Sequence, residues 1–279
     1  MAKQSLKYRI QKMDIGINII LFILVLLTFY PFMAMLFMSL KDNPQFIHAR
    51  WVPTLPLHFE NYAYAWKAVG QFVLNSIFVS SVSAIGGVFF AALSAYVFAR
   101  FQFPGKTVLY MLIISLMMIP GVLTLVPQFL LVRDLKLLDT YWVLILPYLA
   151  GAQPFGIMLL RTFFEGLPHE LFESARLDGA NELSVMRNIA IPLSMPIIGT
   201  LMIMNVTGTW NDVLWPSVTI SNVKLKTIVF GLWSFQSQYY SSWGPLNAAY
   251  TISAIPLIIM FAFTSRLFVQ GLTSGALKV

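Results

Sequence analysis

The sequence predicts an all-α, polytopic membrane protein of six transmembrane helices with both termini cytoplasmic. Three observations carry this. The chain of 279 residues is 58% hydrophobic and only 10% charged, where a soluble domain carries about 25% charged residues. Six stretches without Asp, Glu, Lys or Arg are long enough to cross a bilayer core, which takes roughly 20 apolar residues. The basic residues are unevenly divided between the two sides that six crossings define. The whole of 1–279 reads as a single membrane domain.

The six stretches are 15–40, 68–99, 107–132, 140–160, 188–211 and 227–265. The second and last exceed one crossing, so their spans are placed at about 72–99 and 246–265. The first has a basic flank, but it is too long for a signal-peptide core and lacks a small-residue cleavage site. It is predicted to be retained. With the N-terminus inside, 11 of the 18 Lys and Arg fall in cytoplasmic segments, among them Lys3, Lys7, Arg9 and Lys12 and the short turn from Arg100 to Lys106. That bias has the sign of the positive-inside rule. The net charge of +7 then reflects juxtamembrane bases rather than nucleic-acid binding. Prolines at 31, 120, 127, 147, 154, 192, 196 and 256 lie in or at the ends of spans. Kinks are expected there, because neighbouring helices can re-satisfy the freed carbonyls.

The outer segments carry Trp51, Trp66, Trp142, Trp215, Trp233 and Trp243, with Tyr141, Tyr239 and Tyr240. Such aromatics anchor at the headgroup level. The long segment from 213 to 245 reads equally as a headgroup anchor or as a surface that meets another protein. Asn75, Gln128, Gln153, Asn205, Asn211 and Asn247 lie in spans. Hydrogen bonding between helices is the simpler reading of them. Contact with sugar hydroxyls, with Trp210 or Phe129 stacking on a ring, is the sharper one. Asn75, Gln128, Asn205, Trp210 and Asn211 are the candidates for a substrate path.

Several chemistries are excluded. There is no Cys, hence no disulfide, thiolate metal site or Cys nucleophile. His48, His58 and His169 are far apart, so no cluster of metal ligands is indicated. No metal site is expected. "PGKT" at 104–107 suggests a phosphate loop, but the position that loop requires as Gly is Arg100. Asp14 and Asp212 stand at span ends, whereas an ion relay wants acids at mid-membrane. That argues against a secondary carrier. No catalytic residue, and so no enzyme, is expected.

One segment breaks the apolar pattern, "PHELFESARLDGANELSVMRNIAIP" at 168–192. Pro168 suits the first turn of a helix. Leu171, Phe172 and Ala175 fall at helical spacing on one side, and Glu170, Glu173 and Arg176 largely on another. Asp178-Gly179 stops the helix with a left-handed cap. A second short amphipathic piece, "ANELSVMRNI", precedes span five. From the residues alone this elbow is either a re-entry loop pinned by its apolar face or a lever that another protein grips.

The segment resembles the EAA loop of permease subunits in binding-protein-dependent ABC importers. The family's Glu-Ala-Ala is met here by Glu173, Ser174 and Ala175, its Gly by Gly179, and its Ile and Leu-Pro by Ile189 and Ile191-Pro192. Ser174 and Ile191 depart from the pattern by small changes. "LSAYVFARFQFPGK", "PQFLLVRDLKLLDTYWVLILP", "WNDVLWP", "WGPLNAAYTISAIPLI" and "LFVQGLTSGALKV" resemble the smaller, six-span subunit of maltose-type sugar transporters. The resemblance implies a type I ABC importer permease fold with a coupling helix at about 168–187. It implies a second, homologous permease subunit, a dimeric cytoplasmic ATPase and an extracytoplasmic substrate-binding protein as partners. The chain itself then needs no cofactor, and ATP and Mg belong to the ATPase. Glu173, Ala175, Asp178, Gly179, Leu171, Phe172 and Pro192 are expected to couple to the ATPase. Gly271, Leu272, Thr273, Ser274 and Gly275 are expected to form an extended tail that also reaches it, where fraying is the plainer reading of the composition.

Overall fold

The computed structural model describes the backbone of residues 2–238 and 242–276 and the side chains of 15–237 and 242–265. Tyr239 and Tyr240 lie outside the described residues. Among those described, all regular structure is helical. Three helices are long and apolar enough to cross a membrane: Ile15–Ser39 within α1 (Ala2–Ser39), α3 (Glu60–Arg100) and Trp243–Ser265 within α14 (Trp243–Ala276). Three further crossings are bent pairs. Counting each pair as one, the spans number six.

The bends sit where proline removes a backbone donor. α4 (Lys106–Ser115), continued by a 3₁₀ turn to Met118, meets α5 (Gly121–Asp134) at 104°. Ile119, which precedes Pro120, is forced extended at φ −84°, ψ 115°. A straight helix over 107–132 is therefore not what forms; the chain changes direction half-way. α6 (Trp142–Gly151) and α7 (Gln153–Glu165) meet at 41°, with Pro154 in the first turn of α7. The run 182–193 meets α11 (Met195–Asn211) at 77°, between Pro192 and Pro196. The segment 213–245, expected as a loop, holds α12 (Leu214–Thr219), a 3₁₀ turn at Val223–Leu225, α13 (Ile228–Gln238) and the start of α14.

The chain divides into two compact units. One comprises Met1–Ala68 and Phe235–Ile252. In it α2 (Asn43–His48) begins with a capping box between Asp42 and Gln45. Phe46 stacks on Trp243 at 4.7 Å, and the Trp243 amide donates to the Asn43 side chain at 3.1 Å. Lys41, 1% exposed, donates its Nζ to the carbonyls of Ala49 and Val52. Asn61 donates to the carbonyls of Ser39 and Lys41, both at 2.9 Å. A buried ammonium kept within its own loop fixes the turn between α1 and α3. The apolar part of α1 buries 6% of its window within the chain, as suits a helix solvated by lipid or by another subunit.

The other unit comprises Val69–Ser234 and Ser253–Val279. It has two cores. One gathers Val88, Ala91, Ala95 and Tyr96 of α3 with Ile157, Leu160 and Phe164 of α7, Phe172, Val185, Met186 and Leu201. Close approach is needed there, since a Cβ on Gly156 would stand 2.8 Å from the Ala91 Cβ. Small residues at such a crossing let backbones meet in lipid. The second core joins Val79, Val132, Val143, Leu144, Ile145, Trp215 and Ile220.

Candidate functional site: a braced polar elbow

α8 (His169–Leu177) follows Pro168, which takes the cap position at φ −54°, ψ 132° rather than entering the first turn. The helix ends in a Schellman motif. Gly179 stands at φ +82°, its amide donates to the Arg176 carbonyl at 3.0 Å, and the Ala180 amide donates to the Ala175 carbonyl at 2.9 Å. The left-handed cap expected at Gly179 is what forms. Asn181 then accepts from the Ser184 amide at 2.8 Å and opens α9 (Glu182–Val185). A π turn over Met186–Ala190 leads into α10 (Ile191–Leu193). Pro192, exposed, lacks the N–H that a regular turn would use.

Four side chains fasten this elbow to the body of its unit. Phe172 is 1% exposed, and the Arg100 guanidinium lies 3.6 Å above its ring. Arg100 also donates to the carbonyls of Phe164 and Leu167 at the end of α7. Glu182 receives the Tyr96 hydroxyl at 2.9 Å and the Arg176 Nε at 2.9 Å. The hydrogen bond to Glu182 holds the Arg176 guanidinium above its ordinary value, so the pair stays charged. Val185 and Met186 pass into the same core. The elbow is thus tied to α3, α7 and α11 by side-chain contacts.

The outward surface differs from the sequence reading. Leu171, Phe172 and Ala175 do not form one buried side. Phe172 is buried in the core and Ala175 packs against its edge, while Leu171 turns outward. Ala175 is half-buried and Leu171 is 40% exposed. Leu177 at 89% and Leu183 at 69% stand out further. Glu173 and Asp178 are exposed beside them, and Glu173 makes no ion pair among the described residues. An unsatisfied carboxylate among exposed leucines is a surface suited to a protein with a basic, apolar cleft. Tyr96, Arg100 and Glu182 were not singled out by the sequence. Their signal was the pair Tyr96 and Arg100 one turn apart at a span end, and a carboxylate directly after a helix start.

The path candidates do not converge. Asn75 is 2% exposed and fully engaged: it donates to the carbonyls of Lys224 and Lys226 and accepts from Gln71 and Tyr141, all at 2.8–2.9 Å. It anchors the segment before α13. Trp210 lines an apolar cavity of about 310 Å³ with Ile77, Met202 and Pro256. Asn211 donates back to the Thr207 carbonyl, and Asn205 is half-buried. Gln128 lines a different cavity, of about 240 Å³, with Tyr148 and Asp212. Trp215, expected as a headgroup anchor, is 5% exposed and donates its Nε1 to the Val143 carbonyl at 2.8 Å. Its N–H has a partner inside, so burial costs nothing in hydrogen bonding. The backbone of 271–275 continues α14 as helix instead of running extended. Once a span is helical, propagation through Gly costs only about 1 kcal/mol per residue. The side chains of Leu272, Thr273 and Ser274 lie outside the described residues.

Six crossings and one braced polar elbow between spans define a polytopic membrane protein. Comparison with known proteins makes that class specific. Residues 87–274 match the family described as binding-protein-dependent transport system inner membrane component. The chain is 34% identical to the probable ABC transporter permease protein YurM of Bacillus subtilis, over 95% of this chain and 89% of that protein. It is 28% identical to the arabinooligosaccharides transport system permease protein AraQ of B. subtilis, over 95% of each chain. It is 31% identical to the sn-glycerol-3-phosphate transport system permease protein UgpE of Yersinia pestis bv. Antiqua, over 94% and 97%. Among solved structures, a chain of a bacterial ABC transporter involved in the import of the acidic polysaccharide alginate superposes with TM-score 0.77 at 22% identity, covering 92% of this chain and 97% of that one. The chain belongs to the binding-protein-dependent transport system inner membrane component family. It is a multi-pass membrane permease subunit and not an enzyme.

Proposed function

We propose that this chain is the permease subunit of an ABC importer that takes up a sugar or oligosaccharide delivered by an extracytoplasmic binding protein. It pairs with a second, homologous permease. A dimeric cytoplasmic ATPase binds ATP and Mg and grips the elbow, which puts both termini of this chain on the cytoplasmic side. The names of AraQ, of the diacetylchitobiose uptake permease NgcG of Streptomyces coelicolor and of the melibiose/raffinose/stachyose permease MelC of B. subtilis support a saccharide cargo.

The observation that carries the coupling role is the contrast within α8. Its inner residue, Phe172, is locked under Arg100, while its outer residues, Glu173, Leu177 and Asp178, are exposed and their side chains make no hydrogen bond or ion pair among the described residues. Closure of the ATPase dimer moves α8, and the braces transmit the movement to the spans. Two access states biased by nucleotide are enough to drive transport. The test is Glu173→Lys in the reconstituted complex. The variant inserts and assembles, but ATP hydrolysis no longer drives uptake. Uptake at the wild-type rate overturns the assignment.

A further inference from the structure

The cavity lined by Gln128 is built differently from the others, and its chemistry extends the function just proposed. It holds about 240 Å³, space for one sugar ring. Its polar side chains come from three spans: Thr124 and Gln128 of α5, Tyr148 of α6 and Asp212 at the end of α11; Thr124 donates to the Gly121 carbonyl. One Asp212 oxygen accepts the amides of Leu214 and Trp215 at 2.9 and 3.3 Å, and the other accepts the Tyr148 hydroxyl at 2.9 Å. This leaves the second oxygen one further lone pair, and the phenol oxygen can accept as well. Gln128 has no hydrogen-bond partner among the described residues. Its amide therefore offers two donors and an acceptor. Pro147, Leu125 and the Trp215 indole supply apolar walls.

We propose that Gln128, Tyr148 and Asp212 form a binding subsite for one neutral saccharide unit of the transported cargo. A sugar hydroxyl both donates and accepts, and adjacent hydroxyls match an amide beside a carboxylate. The C–H face of the ring matches proline, leucine and indole. Few polar groups fixed among apolar walls is the usual make-up of a small-ligand site. No Lys, Arg or His lines the cavity. A carboxylate without a compensating cation repels an anion, so the subsite rejects phosphorylated and uronate cargo. In the orientation proposed above the cavity lies toward the outer ends of spans three to five, where a binding protein releases its ligand. Its position beside the 104° bend between α4 and α5 explains why so sharp a turn is kept at this depth: a straight helix has no such recess.

The inference rests on the sugar-permease reading, and one experiment separates the two. The assembled transporter with its ATPase and binding protein is placed in proteoliposomes. It is offered a mixture of raffinose, arabinotriose, digalacturonate and sn-glycerol 3-phosphate, and the accumulated solutes are identified by mass spectrometry. The wild type is expected to accumulate a neutral saccharide. Gln128→Leu, close in size and without hydrogen-bonding groups, should raise the half-saturating concentration about tenfold through loss of one or two hydrogen bonds. Asp212→Asn keeps an acceptor for the Leu214 and Trp215 amides but removes the charge, and should admit digalacturonate severalfold better. Size-exclusion profiles of the complexes control for assembly. Neutral uptake that both variants leave unchanged overturns the subsite and leaves the permease reading standing. Accumulation of sn-glycerol 3-phosphate alone by the wild type defeats the sugar reading and the subsite with it, whereas accumulation of digalacturonate alone overturns the subsite and leaves the sugar reading standing.

Discussion

At the scale of single residues the elbow depends on two positions that tolerate little. Gly179 adopts φ +82°, which costs an L-residue with a Cβ about 1–2 kcal/mol. No atom stands within 4 Å of a Cβ built there, so the strain is in the backbone alone. Gly179→Asp should therefore leave insertion intact and shift the hinge between α8 and α9. The expected outcome is futile ATP hydrolysis, read as a fall in solute imported per ATP consumed. Phe172 is the second position. Replacing a buried Phe by Ala costs about 3–5 kcal/mol, and here it also removes the ring beneath Arg100. Phe172→Ala should lower the thermal midpoint of the detergent-solubilised complex, whereas Leu177→Ala, at 89% exposed, should not. If Leu177→Ala nevertheless weakens ATPase association, the outward leucine belongs to the partner's cleft.

At the scale of elements, what was legible depended on whether the signal was local. Six apolar runs, the break at Gly179 and the short piece after it can be read from spacing, because each is fixed by residues within one or two turns. The 104° reversal at Pro120 cannot. A proline in a lipid-embedded helix is compatible with a mild kink, and only packing on α7 decides how far the chain turns. The braces fail for the same reason. Tyr96 and Glu182 are separated by 86 positions, and nothing in either neighbourhood announces the other. Trp215 looked like an anchor because its partner, the Val143 carbonyl, is 72 positions away. The brace gives a prediction of its own. Tyr96→Phe removes one donor to Glu182, and Glu182→Gln weakens both the Tyr96 and Arg176 contacts. A double-mutant cycle on coupled transport should show non-additivity of about 0.5–3 kcal/mol, as for residues sharing one network. Strict additivity would mean that the contact carries no coupling.

At the scale of the whole molecule the question is how a permease with its power source on one side and its ligand source on the other arranges its two working surfaces. In the proposed orientation the inner surface is the elbow. The outer one is then the helical segment from α12 to α13, where Trp233 is 65% exposed and Ser217 stands free of the core. Buried Trp215 holds its start and Asn75 its middle, at Lys224 and Lys226, so it is an ordered helical segment rather than a loose loop. A docking surface that is already ordered gives up little conformational entropy on binding. Crosslinkers at Ser217 or Ser237 should capture the binding protein in the ATP-trapped complex. A crosslink to lipid alone would reduce the segment to a headgroup anchor. The C-terminal end supplies the remaining test of how far the inner surface extends. α14 continues as helix to Ala276, beyond Arg266, the charge that ends the uncharged run of span six. At about 1.5 Å per residue, the helix runs on for some two to three turns past that charge. A helix that continues so far through two glycines gains nothing from propensity, and contact with another subunit is a sufficient reason for it. Deleting 271–279 should then lower the yield of intact complex or the transport obtained per ATP, beside a normally folded membrane portion. A truncated complex that assembles and imports at the full rate would confine the coupling surface to the elbow.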